Sequence, residues 1–176
     1  MDGSMETIRV LVISDSAADV VLIEELLSKS PRSQTKYYVE AAHDFQSALR
    51  ALVSDSHDVY LLDYHVPGSG ISGIDFIQRA YAGGCTAPII LMTQITDETI
   101  LWAAEAAGAA DVLHKQADLC PHPDCPLQRN EDTPRRLLTR AIRYSVRHFQ
   151  QLKLIQKQLD AVQRQLADVH RKLNRG

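Results

Sequence analysis

Four polar side chains that together could handle a phosphoryl group each follow an apolar run of this chain. They are Asp15, Asp63, Thr93 and Lys115. Two carboxylates that lie close together favour a hard divalent cation such as Mg²⁺, which binds through oxygen and retains several waters. A lysine beside such a cation can pair with a phosphoryl group as a point charge, and a threonine can donate a hydrogen bond to it. These residue types therefore predict a magnesium-dependent phosphoryl site, provided that the fold brings them together.

The elements that would bring them together alternate along the chain between strand and helix. Apolar, β-branched runs predict five strands. These strands cover residues 8–13, 37–39, 58–63, 88–93 and 111–114. Because parallel strands need long crossovers, the intervening helical segments predict an α/β fold with a doubly wound five-stranded parallel sheet. Ligands bind beyond the carboxyl ends of the strands in such a sheet, which is where the four side chains fall.

Two residues are predicted to mark helix ends between these strands. Asp44 precedes a helical segment and is predicted to be its N-cap, because its carboxylate can accept from the first free backbone N–H groups. Gly108 follows the helical segment 97–107 and is predicted to stop it. A final helical pattern starts at Thr133 and continues nearly to the last residue.

Four short motifs stand at the predicted strand ends. They are Ser14-Asp15, Tyr60–Asp63 followed by Pro67-Gly68, Leu91–Thr93, and Ala107-Gly108-Ala109 through Lys115. Over residues 7–150 their order and spacing resemble the receiver domain of two-component response regulators. The resemblance implies a flavodoxin-like receiver fold, in which an aspartate at a strand end accepts a phosphoryl group from a partner protein.

The resemblance also implies a role for each candidate site residue. Asp63 would be the phosphoacceptor, phosphorylated by a sensor histidine kinase or a phosphotransfer protein. Asp15, Asp63 and the backbone carbonyl of His65 would bind Mg²⁺. Lys115 would pair with the acyl phosphate, and Thr93 would bond its oxygens once phosphorylation draws the loop inward. Phosphoryl transfer needs mainly positioning and charge neutralisation, which this set can supply.

The chain departs from the usual receiver pattern at several positions near the site. Ser14 stands where an acidic residue is usual, which predicts a weaker cation site. Gln94 follows Thr93 in place of a small residue, and Gln116 replaces the proline that commonly follows the lysine. Val112 stands in place of the usual switch aromatic, so the relay from the threonine to that aromatic is not expected to operate as usual.

Two other classes of function stay open beside the phosphoaccepting receiver. One is a receiver-like scaffold that is never phosphorylated and only mediates protein contacts. The other is a small metal- or nucleotide-dependent enzyme, which the sequence disfavours because no Gly-rich phosphate loop follows the first strand. We therefore expect no enzymatic output from this chain, beyond acceptance of a phosphoryl group on its own aspartate.

The C-terminal segment carries an apolar seam with alternating steps of three and four residues. The seam consists of Leu152, Ile155, Leu159, Val162, Leu166, Val169 and Leu173. This spacing predicts that residues 151–176 extend the last receiver helix into a coiled coil. Leucine at a with isoleucine or valine at d nominally favours assemblies of more than two strands. The resemblance implies instead a parallel homodimer that passes a signal to a downstream output domain or protein.

Charge and composition limit the other partners of the chain. The net charge is −3, but residues 129–176 hold 12 basic and 4 acidic residues. Such asymmetry can mark a nucleic-acid-binding arm, yet no aromatic residue follows Phe149 to stack on a base, so nucleic acid is disfavoured. No apolar stretch approaches the ~20 residues of a membrane span, and no secretory signal pattern is visible. We therefore expect a cytoplasmic protein.

One loop could in principle bind a different metal. Cys120, His122 and Cys125 have spacings compatible with zinc, and His114 lies nearby in the sequence. A structural zinc site needs four ligands, usually as two pairs, and only three convincing donors are present. The alternative is an irregular surface insertion before the last helix.

Overall fold

The computed structural model of the protein describes residues 6–28, 35–120 and 132–173. Five strands alternate with helices. The strands are β1 Glu6–Ile13, β2 Thr35–Ala42, β3 Val59–Asp63, β4 Ile89–Thr93 and β5 Asp111–His114. The helices are α1 Ala17–Ser28, α2 Phe45–Ser54, α3 Gly73–Ala82, α4 Glu98–Ala106, α5 Lys115–Asp118 and α6 Thr133–Leu173.

The five strands form one sheet in the order β2-β1-β3-β4-β5, with every pair parallel. This arrangement confirms the predicted doubly wound, flavodoxin-like architecture. The chain runs from β1 outward to β2 and then returns to the other side of β1 to form β3. The connections therefore reverse direction between β1 and β3, and such a switch point opens a crevice at the carboxyl ends of the strands.

Helices cover both faces of the sheet, which explains why the strands are continuously apolar. Successive strand residues point to opposite faces, so each strand contributes to two separate cores. The core shared with α1 and the first part of α6 includes Val10, Val12, Leu61, Met92, Ile23, Leu138 and Ile142. The core shared with α2, α3 and α4 includes Leu11, Ile13, Leu62, Leu91, Ala48, Phe76 and Ala104.

Both predicted helix-end residues are confirmed. The Asp44 carboxylate accepts a hydrogen bond from the Ser47 backbone N–H at 2.8 Å, and Asp44 is the N-cap of α2. Gly108 follows the end of α4 with φ of +95°, in the left-handed region that only glycine enters without strain. A carboxylate thus caps the start of α2, and a glycine allows the chain to turn after α4.

The two largest differences from the sequence prediction concern β2 and the segment after β5. β2 spans eight residues, Thr35–Ala42, rather than residues 37–39, because each of them pairs with a residue of β1. The segment between β5 and the last helix, for which the sequence indicates only an irregular insertion, begins with the short helix α5. Asp118 at its end accepts a hydrogen bond from the backbone N–H of His114 at 2.7 Å, a local bond that periodicity does not indicate.

The chain divides into two compact units, Met1–Val146 and Arg147–Gly176, and the division falls within α6. The first part of α6 buries apolar side chains such as Leu138 and Ile142. Every residue from 150 to 171 is exposed. Although α6 contains 41 residues, no helix in the described part of the chain is both long and apolar enough to cross a membrane.

We predict that Leu138→Ala destabilises the protein far more than the same substitution at Leu154. Leu138 is fully buried, so its truncation should lower the free energy of unfolding by about 2–5 kcal/mol. Leu154 is 57% exposed and lies off the apolar seam, so its truncation should cost less than about 0.5 kcal/mol. Urea unfolding at one protein concentration measures both values. Equal small losses would show that α6 does not pack on the sheet.

Candidate functional site

Asp63 occupies the carboxyl end of the central strand β3, beside the switch point of the sheet. It is only 8% exposed, and its backbone is held in register by pairing with β4 at Met92. The next residue, Tyr64, donates its backbone N–H to the Met92 carbonyl at 2.9 Å, which extends the sheet past the carboxylate. The strand therefore presents a buried carboxylate in a fixed position.

Lys115 supplies the counter-charge for this carboxylate. Its Nζ lies 2.6 Å from Asp63 Oδ2 and 2.6 Å from Asp19 Oδ2, so one ammonium joins two carboxylates. The side chain of Lys115 is 12% exposed, as is that of Asp63. The predicted meeting of Asp63 and Lys115 is therefore found in the structure, with Asp19 as an additional partner.

The ionisation of Lys115 reflects a balance between burial and these partners. Burial opposes the charged form of the lysine, while hydrogen bonds and Coulombic attraction to Asp19 and Asp63 favour it. The attraction prevails, so the pKa of Lys115 lies above its usual value. Lys115 therefore remains a cation at neutral pH, the state needed to neutralise an anion at Asp63.

Ser14 lies directly against the acceptor carboxylate. It is fully buried, and its Oγ donates a hydrogen bond to Asp63 Oδ2 at 3.3 Å. The same Oγ accepts from the Ser16 backbone N–H at 3.1 Å. A neutral hydroxyl thus occupies the place beside Asp63 where a carboxylate would add a second negative charge.

Thr93 ends β4 next to the site, and no hydrogen bond joins it to Asp63 among the described residues. It is 1% exposed, and its Oγ1 accepts the backbone N–H of Ile95 at 3.0 Å. Accepting this bond leaves the hydroxyl hydrogen available for donation. The threonine therefore shapes the turn after β4 and retains one donor.

Asp15 and His65, the other predicted magnesium ligands, both have exposed side chains. Within the described residues no hydrogen bond joins either of them to Asp63, and no group of three or more His, Cys, Asp or Glu side chains is arranged to hold a metal. Magnesium, however, needs only one or two carboxylates and takes carbonyl oxygens and waters for the rest. Both hydrogen bonds that Asp63 accepts from described side chains end on Oδ2, so Oδ1 faces no competing donor. The donor set therefore fits magnesium.

Only one of the three predicted zinc ligands of the loop, Cys120, lies within the described residues. Cys120 is half-buried and has a free thiol, whereas His122 and Cys125 lie outside the described residues. The nearby His114 uses both ring nitrogens in contacts with backbone groups, to Gln94 and Ala117. The zinc hypothesis therefore stays a prediction, without support from His114.

Asp19 is the site residue that the sequence interpretation missed. It stands in the first turn of α1, four residues after Asp15, where an acidic side chain also favours the positive end of the helix. No local pattern in the sequence indicates its role in the site. Its contact with Lys115, 96 residues later, depends on the tertiary fold.

Comparison with known proteins identifies this arrangement. A profile of the response regulator receiver domain matches residues 10–120, more than half of the chain. The response regulator MprA of Mycobacterium ulcerans is 32% identical over 109 residues, covering 62% of this chain and 44% of that protein. A protein-glutamate methylesterase/protein-glutamine glutaminase of Bradyrhizobium diazoefficiens is 29% identical over 112 residues, covering 62% of this chain and 29% of that enzyme. The chain thus spans less than half the length of these relatives.

Solved structures agree on the fold. A CheY-like response regulator receiver domain protein from Methanospirillum hungatei JF-1 superimposes with a TM-score of 0.60 at 18% identity. The superposition covers 83% of this chain and 98% of that one. Three observations indicate the same family: the profile match, the β2-β1-β3-β4-β5 sheet and the buried aspartate at the end of β3. The chain belongs to the response regulator receiver domain family of two-component signalling systems.

Proposed function

We propose that the protein accepts a phosphoryl group on Asp63 from a sensor histidine kinase or a phosphotransfer protein, and signals through paired C-terminal helices. The observation that carries the proposal is the contact between Lys115 Nζ and Asp63 Oδ2 at 2.6 Å. A strand-end carboxylate with a permanent cation beside it can act as a nucleophile while the charge of an incoming phosphoryl group is neutralised.

The transfer uses groups that already surround Asp63. An Asp63 carboxylate oxygen attacks the phosphorus of a phosphohistidine. A P–O bond forms as the P–N bond breaks, and the leaving imidazole keeps the electron pair of that bond. Lys115 moves its contact from the carboxylate to a phosphoryl oxygen while Asp19 continues to hold it at 2.6 Å. Thr93, whose hydroxyl hydrogen is available, donates to another phosphoryl oxygen and is drawn toward the site.

Receiver domains generally bind Mg²⁺, and the residues here suit that ion. Asp63, Asp15 and the backbone carbonyl of His65 would hold it, with waters completing its shell. When bound, the cation neutralises negative charge on the phosphoryl oxygens during transfer. Ser14 contributes no charge to this set, so we propose that the site binds magnesium more weakly than one with a third carboxylate.

We predict that incubation with acetyl phosphate and Mg²⁺ adds one phosphoryl group to the protein. Asp63→Asn should abolish the addition because an amide lacks the nucleophilic carboxylate oxygen. Asp168→Asn, an exposed change on α6, should leave it intact. Intact-mass spectrometry distinguishes the three proteins. An unmodified wild type would favour the alternative function, a receiver-like scaffold that mediates protein contacts without phosphorylation.

We predict that Ser14→Asp strengthens Mg²⁺ binding. The variant replaces the hydroxyl beside Asp63 with an anionic ligand, and added ligand charge raises affinity at oxygen sites. Ser54→Asp adds the same charge at an exposed position of α2 and serves as the control. Calorimetric titration at constant ionic strength gives the dissociation constants. Equal or weaker binding in Ser14→Asp would contradict the role assigned to Ser14.

The proposed dimer rests on the seam of α6. The described members Leu152, Ile155, Leu159, Val162, Leu166 and Val169 are 48–64% exposed within the single chain. A second copy of the helix would bury this stripe. The flanking e and g positions are mostly glutamine (151, 156, 158, 163 and 165), so charge pairing does not oppose the parallel alignment of identical helices.

We predict that the double change Leu159→Lys and Leu166→Lys dissociates the protein into monomers, because like charges would face each other across the seam. Leu154→Lys with Ala161→Lys places the same two charges off the seam and should leave the association intact. Sedimentation equilibrium measures the mass and separates a dimer from a trimer.

Deleting residues 151–176 should also yield a monomer that still accepts phosphate at Asp63. Unchanged association of the truncated protein would place the interface on receiver surfaces instead.

A further inference from the structure

The His114 side chain joins two segments that flank the phosphoacceptor site. Its Nε2 lies 3.0 Å from the backbone carbonyl of Gln94, in the segment that follows β4. Its Nδ1 accepts the backbone N–H of Ala117 at 3.0 Å, which caps α5. One imidazole therefore contacts both the turn after Thr93 and the helix that begins at Lys115.

These two contacts favour one tautomer of the neutral ring. Nδ1 accepts a hydrogen bond from Ala117, so it carries no proton. In a neutral imidazole the hydrogen is then on Nε2, which donates it to the Gln94 carbonyl. The ring is thus a directional link, with a donor on one side and an acceptor on the other.

The link connects the two residues expected to respond to a phosphoryl group. Thr93 and His114 are register partners in the β4–β5 pair. Gln94 directly follows Thr93, and Lys115 directly follows His114. Movement of Thr93 toward a phosphoryl oxygen would shift the Gln94 carbonyl and, through its hydrogen bond with Nε2, displace the ring. The displaced ring would in turn move α5 through the hydrogen bond from the Ala117 N–H.

We propose that His114 is a positioning residue that couples the turn after Thr93 to α5 when the site is phosphorylated. This inference rests on the proposed phosphorylation of Asp63. Val112, which stands at the usual position of the switch aromatic, has no polar group that could form a hydrogen bond with the turn after Thr93. His114 provides a polar link between the same two strands through one hydrogen bond on each side of its ring.

Two variants separate the halves of the link. His114→Asn places an amide oxygen close to the position of Nδ1, so it can cap α5, but it is too short to reach Gln94. His114→Gln places an amide nitrogen close to the position of Nε2, so it can donate to Gln94 without capping α5. Asparagine is a favoured N-cap, and therefore a folding defect is not expected from the first variant.

The experiment uses the whole 176-residue chain with Mg²⁺ and beryllofluoride, an analogue of the phosphoryl group, and follows backbone amides by NMR. In the wild type, adding the analogue should shift the amides of Tyr64 and Ile95 at the site and those of Ala117 and Asp118 in α5. His114→Asn should retain the first pair of shifts and lose the second. His114→Gln, which keeps the donor to Gln94 but lacks the bond to the Ala117 N–H, should likewise retain the first pair and lose the second.

Each other outcome counts against the inference in a distinct way. Full α5 shifts in either variant would overturn the coupling, because each variant lacks one of the two hydrogen bonds of the link. Nitrogen-15 shifts that place the imidazole hydrogen on Nδ1 in the wild type would overturn it without any phosphoryl analogue. Absence of shifts at Tyr64 and Ile95 in the wild type would instead contradict the proposed phosphorylation, and the coupling with it.

Discussion

A carboxylate buried at the end of a central strand needs a counter-charge, and at Asp63 that charge comes from Lys115. Removing a carboxylate from water costs several kcal/mol when no partner compensates for it. Lys115 lies 52 residues away in the sequence and reaches Asp63 only because β3 and β5 end at the same edge of the sheet. Asp19 holds the same ammonium from α1. The ion pair thus fixes three separate segments around one point.

In the proposed phosphorylation of Asp63, the same ion pair would make the site responsive. An acyl phosphate removes the carboxylate charge of Asp63 and introduces a dianionic group farther from the backbone. Lys115 must then shift its contact outward, and Asp19 keeps it within the site during the shift. Lys115 is also the first residue of α5, so the group that changes its contact adjoins the helix that His114 caps. The need to neutralise charge at Asp63 would therefore link phosphorylation to a change in the position of the Lys115 side chain.

Much of this arrangement could be predicted from the sequence, since it depends on local patterns. Apolar runs indicated the strands, and the rule that parallel strands end at one edge correctly placed Lys115 near Asp63. Asp19 was missed because its contact spans 96 residues and no local pattern signals it. The helix α5 was missed because four residues contain too little periodicity, and the bonds that stabilise it come from His114 and Asp118.

α6 shows how one helix can carry two different apolar patterns. In its first part Leu138, Ile142 and Val146 follow steps of four and are buried against a sheet, where a broad apolar face suffices. From Leu152 onward the steps alternate between three and four, and the narrower seam has no covering element within the described residues. Most helical stability in proteins comes from packing of an apolar face against another element. A second helix would supply that packing for the seam, whereas the sheet supplies it for the first part of α6.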